Sequence, residues 1–174
     1  MKFISKSIFI LIFVNIWGAM GYASDDKEEI LLGIISQGDL QKEPYSTWYN
    51  DSEKKYQVDN DALANIDALL EGVEIKIVLG TWCHDSQREV PRFYKILNDH
   101  EAQTEMIALD RKKQAPNNEL QGIEITHTPT FIFYKNGQEL NRIVERPIES
   151  LEKDMVKILK GESYIHSKLI MTKK

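Results

Sequence analysis

The 174-residue sequence has one cysteine, Cys83. A lone sulfur excludes any disulfide within the chain, although exported proteins of this size often use such bridges in pairs. No second cysteine and no regular ligand spacing announces a metal site. Positive charge is also scarce: 22 lysines and arginines face 27 aspartates and glutamates, giving a net charge of −5. An acidic chain is a poor candidate for nucleic acid or for an anionic membrane surface. Internal repeats and low-complexity segments are missing too, and the length suits one ordinary domain with some extra.

What is there begins with a leader. Lys2 and Lys6 give a positive start, "SIFILIFVNIW" is an apolar core, and Gly21 and Ala23 supply small residues. That layout predicts a secretory signal peptide over 1–23, cleaved after Ala23. The alternative, an uncleaved anchor, has an apolar run short of the ~20 residues that a spanning helix needs, interrupted by Asn15. We expect no stable membrane span after cleavage. Removing Lys2 and Lys6 moves the net charge from −5 to −7. In an exported chain an odd cysteine suggests intermolecular pairing or a free reactive thiol. The bland reading is a small buried hydrophobe.

The rest reads as an extension, 24–59, followed by a domain over 60–174. "DDKEEILLGIIS" (25–36) has helical spacing behind an acidic first turn. Turn formers and aromatics then alternate, and Tyr45, Trp48, Tyr49 and Tyr56 are expected to pack on the main domain. Asn60 is placed to cap a helix through Leu70, with Leu63, Ile66, Leu69 and Leu70 on one face. "EIKIVLG" is a buried strand. A helix follows with Val90, Phe93, Tyr94 and Leu97 at its spacing and Pro91 inside it. Next come a strand "EMIALD", a polar loop, and strands 130–134 and 139–144 joined at Asn136-Gly137, a hairpin signal. A last helix runs from about Glu149 to Lys160, with Ile148, Leu151, Met155 and Leu159 on one face. The order implies an α/β domain, a mixed sheet covered on both faces by helices.

"GTWCHDSQREVP" (80–91) sets "WC" after the central strand, with Ser86 three positions beyond Cys83 and Pro91 eight beyond it. With "Thr128-Pro129-Thr130" and "KNG" at 135–137, these features resemble the thioredoxin family over roughly Asp61 to Lys160. The string "GTWCxDSxREVPRF" is similar to a group of exported bacterial thioredoxin-like proteins with serine in the second position. The resemblance implies a thioredoxin-like fold, to which the 24–59 segment adds an N-terminal helical extension, and a periplasmic or cell-envelope location in a bacterium. It also implies a cis-proline loop facing the cysteine, with Thr128 and Pro129 positioning substrate.

The thiolate is the nucleophile, so a working site must lower the sulfur's pKa from ~8.5 and leave it accessible. A helix start supplies a dipole and free N–H groups, and Cys83 is placed for both. Ser86 would donate its hydroxyl to the thiolate. His84 would add positive charge at mildly acidic pH or simply face solvent, Asp85 is expected to face solvent, and Trp82 would shape the rim. His127 with Cys83 and His84 makes a thiolate–imidazole set of the kind that binds copper or zinc, but without regular spacing we assign no metal and no cofactor. Two departures from the family stand out: Ser86 cannot attack a mixed disulfide, and Ile77 occupies the position, six before Cys83, of the family's buried carboxylate. The expected function is monothiol disulfide exchange through Cys83, with protein or low-molecular-weight thiols and disulfides as partners and an external thiol resolving the intermediate. The other reading is a non-catalytic binding module that uses the Trp82 and Pro129 surface. A third is peroxide oxidation of Cys83 to a sulfenic acid, reset by another thiol.

Overall fold

Among the described residues, five strands make one mixed sheet in the order β1-β3-β2-β4-β5. They are Gly33–Ile35 (β1), Val73–Leu79 (β2), Gln103–Ala108 (β3), Thr130–Lys135 (β4) and Gln138–Val144 (β5). The computed structural model describes residues 29–172, and the expected signal peptide lies outside the described residues. β2 and β3 run parallel, whereas the β1/β3, β2/β4 and β4/β5 pairs are antiparallel. Side chains alternate across the pleat. Ile75, Ile77, Leu79, Met106, Phe131 and Phe133 enter one core cluster. Val78, Ile107 and Ile132, from the intervening positions, join Leu109 in a second.

The helices are Gln37–Leu40 (α1), Ser46–Lys55 (α2), Ile66–Leu70 (α3), His84–Leu97 (α4), Leu151–Leu159 (α5) and Ser167–Thr172 (α6). On α4, Val90, Phe93 and Leu97 recur every three or four residues and face the larger cluster. The helix continues through Pro91. α5 starts at Ser150, whose Oγ accepts the Lys153 N–H at 3.2 Å, and buries Leu151, Met155 and Ile158. The β4–β5 turn is made by Asn136 and Gly137, with φ of 55° and 74°, the left-handed pair that a two-residue hairpin turn demands.

The extension is helical at α1 and α2, and it is part of the core. Tyr49 is fully buried, Tyr45 nearly so, and Trp48 and Tyr56 pack against the same cluster. Lys95 on α4 donates to the carbonyls of Glu53 and Tyr56, both at 2.8 Å, tying down the end of α2. Among the described residues no helix is long and apolar enough to cross a membrane.

Three expectations need correction. The helix read over 25–36 is not formed in its described part: residues 33–35 are β1, paired from Gly33↔Ala108 to Ile35↔Met106. Gly33 has φ of 77°, outside the right-handed helical region, and the edge of β3 offers backbone partners that override the helical spacing. The helix expected from Asn60 is a series of turns ending in the short α3. Asp59 rather than Asn60 accepts a capping bond, from the Ala62 N–H at 3.1 Å, and Asn65 at φ 66° breaks the helix before Ile66. Ile148, assigned to the buried stripe of the last helix, precedes α5 and is exposed.

Candidate functional site

β2 ends at Leu79, and the chain turns so that the Cys83 N–H donates to the Gly80 carbonyl at 2.9 Å. Cys83 itself is the N-cap of α4, with extended φ and ψ of −95° and 119°. Its carbonyl accepts the first helical bond, from the Gln87 N–H at 2.9 Å. The side chain is partly exposed and sits where free N–H groups and the helix dipole favour negative charge. The Sγ lies 3.2 Å from the Thr128 carbonyl oxygen and donates to it.

That carbonyl belongs to a tightly held loop. The Thr128–Pro129 bond is cis, and Thr128 and Thr130 are buried. Thr130 Oγ1 donates to the His127 carbonyl at 2.7 Å. The Pro129 carbonyl accepts the Glu145 N–H, also at 2.7 Å. The end of β2, the start of α4, the entry to β4 and the exit from β5 therefore meet at one end of the sheet. This is the end of the parallel pair where open α/β sheets place their sites.

Ser86 is fully buried one turn into α4, and its Oγ accepts the Gly80 N–H at 3.2 Å. Its oxygen thus fixes the Gly80 turn, a role separate from the donation to the sulfur that the sequence suggests. Ile77 is fully buried in the apolar cluster. His84 is exposed. Asp85, expected to face solvent, instead pairs with Arg88 and lies 3.9 Å from Arg146 Nε.

Trp82 forms the rim of the site. Its Nε1 donates to the Leu109 carbonyl at 2.9 Å, and the Arg111 guanidinium stands 5.5 Å from the ring centroid. Gly80 makes this possible, because a Cβ there would sit 2.6 Å from the indole. His127 Nδ1 lies 3.1 Å from Thr126 Oγ1. It lines a cleft of ≈ 440 Å³ with His166, Arg142 and Lys168. Burial, then the charge of Lys168, holds its pKa below the ordinary histidine value.

Sequence reasoning did not find several residues that frame the site. Leu31 donates its N–H to Thr81 Oγ1 at 3.4 Å, and Gln87 Nε2 donates to the Thr81 carbonyl at 2.8 Å. Both hold the loop before Cys83. Leu109 and Glu145 act through their backbones, which leave no mark in a sequence; only Gly80, a glycine two residues before a tryptophan, offered a signal.

Comparison with curated proteins gives no match. A family model described as thioredoxin matches residues 38–160. The match begins within the segment read from sequence as an extension and takes in α1 and α2. It supports a thioredoxin-like redox role for the domain, with thiols or proteins as the substrate class. By that match, over most of its length, the chain belongs to the thioredoxin family.

Proposed function

We propose that the protein is an exported monothiol exchanger of the bacterial cell envelope, working through Cys83. The observation that carries this reading is a partly exposed sulfur at the N-cap of α4, 3.2 Å from the Thr128 carbonyl of the proline loop. The Cys83 thiolate attacks one sulfur of a disulfide, forming a mixed disulfide and releasing the other sulfur as a thiolate. Ser86 is buried and has no sulfur with which to close the cycle. A second, external thiol attacks the mixed disulfide, regenerates the Cys83 thiolate and carries the bound group away as a new disulfide. Electrons balance at each step, and the external thiol is the only co-reactant.

The test uses hydroxyethyl disulfide as substrate and intact mass as the readout. The mature chain should gain one adduct, reversed by excess β-mercaptoethanol, and Cys83→Ser should gain none. A native protein that forms no adduct, while the urea-unfolded chain does, would overturn the reading. The binding-module alternative draws support from Trp82, whose ring is fixed against Leu109, and from the inert Ser86 position. It expects Cys83→Ser to keep every partner that the wild-type chain retains on a column.

A further inference from the structure

The family match stops at residue 160, yet the chain goes on to cover the bend that supports the proline loop. β5 ends at Val144, and Glu145 follows with φ of 63°, a left-handed conformation uncommon for a residue with a side chain. That conformation coincides with the Glu145 N–H bond to the Pro129 carbonyl at 2.7 Å. Non-glycine residues persist in such conformations where their surroundings over-determine them, often beside functional sites.

The surroundings here come from the C-terminal segment. Lys168 on α6 forms an ion pair with the Glu145 carboxylate, and both side chains are largely sheltered. Ser167 Oγ lies within hydrogen-bond reach of the carbonyls on either side of Glu145, Val144 at 2.9 Å and Arg146 at 3.2 Å. Asn141 Nδ2 donates to the Tyr164 carbonyl at 3.0 Å, anchoring the segment before it reaches the bend. Arg146 approaches Asp85 on the first turn of α4 from the other side. An unbroken path therefore runs from Lys168 and Ser167 through Glu145 and Pro129 to Thr128 and the Cys83 sulfur.

We propose that Ser167 and Lys168 are positioning residues, and that the C-terminal segment holds the proline loop against Cys83 by fixing Glu145. The proposal rests on the reading of Cys83 as the reactive group. A bend released by loss of either anchor lets the Thr128 carbonyl drift from the sulfur. That carbonyl accepts from the thiol and repels the thiolate, so its departure favours the thiolate.

The experiment measures iodoacetamide alkylation of the full mature chain from about pH 6 to pH 10, a range that brackets an ordinary thiol. Lys168→Met and Ser167→Ala should each alkylate about threefold faster at pH 7, the size of effect expected from losing one ordinary hydrogen bond. Their rate profiles should move to lower pH, and Lys168→Arg should keep the wild-type profile. Folded Lys168→Met and Ser167→Ala proteins with wild-type profiles would overturn the proposal, as would Lys168→Arg moving as far as Lys168→Met. Should Lys168→Met fail to fold, Ser167→Ala, which removes only a hydroxyl, decides alone. Alkylation reports on the sulfur itself. A chain that forms no mixed disulfide yet shows these shifts loses the exchange function and keeps the positioning role.

Discussion

The two faces of the sheet are built to different depths. The face under α4 and α5 is apolar from end to end, from Val73 to Leu79 along β2 and through Phe131 and Phe133 on β4. The opposite face gathers fewer buried apolar side chains: Val78, Ile107, Leu109 and Ile132 meet there, with the loop residues Leu120, Ile123 and Ile125 packed against them. Farther along, it carries the Lys76–Glu105 ion pair at 2.8 Å. Stability therefore concentrates on one side. The small cluster on the other serves mainly as a floor for the segments that frame the site: Leu109 accepts from Trp82, and Thr130 leads out of the proline loop.

Truncation on the deep face should have the largest effect. Phe131 is fully buried and stacks on Phe93 with ring centroids 4.4 Å apart. Phe131→Ala should cost ~3–5 kcal/mol in urea unfolding, with the alkylation rate of the remaining folded protein unchanged. Its neighbour Ile132 is buried on the other face. Ile132→Ala should cost ~2 kcal/mol, the low end for such truncations because a loop-covered site collapses more easily, and it should alter the alkylation rate of Cys83. Equal costs and equal silence at Cys83 from the two substitutions would erase the distinction between the faces.

Gly80 tests the join between them. Gly80→Ala drives a Cβ into the Trp82 indole, and overpacking of this kind costs ~1–3 kcal/mol. The indole is displaced from Leu109, so the Trp82 Nε1–H resonance should move toward the position of a solvent-bonded indole. An unmoved resonance together with wild-type stability would mean that the rim does not depend on the glycine.

Much of this contrast was legible in the sequence. The run of branched residues in β2, the spacing along α4 and the Asn136-Gly137 turn each follow from one local rule, and tertiary packing agreed with all three. The site's sulfur and its proline loop could be paired only through the family resemblance, since 45 residues separate Cys83 from Thr128. The failures have a common cause. β1 exists because the β3 edge needed a partner, α3 was cut short by the left-handed Asn65, and α6 is anchored by contacts to a bend more than twenty residues away. None of these is a property of its own segment. Ser86 adds a use that its residue type did not suggest: beside the donor role read for it, its buried oxygen accepts the Gly80 N–H.

The smallest expected effect concerns the cleft on the thin face, and its sign follows from two histidines. Burial, then Lys168, depresses the pKa of His127, and burial, then Arg142, depresses that of His166. Above the ordinary value of 6.5 both are neutral whether the chain is folded or not, and the fold keeps its full stability. As pH falls below 6.5 the unfolded chain takes up these protons first, so folding weakens until the pH drops through the depressed folded values. The melting temperature should therefore fall between about pH 7 and pH 5.5, above the range in which ordinary carboxylates titrate. In the His127→Gln/His166→Gln double variant that fall should shrink. A double variant that melts with the wild-type slope would assign the acid sensitivity elsewhere, whereas one that loses the slope would show that the acid-sensitive part of the fold lies on its thin face, beside the C-terminal segment that backs the proline loop.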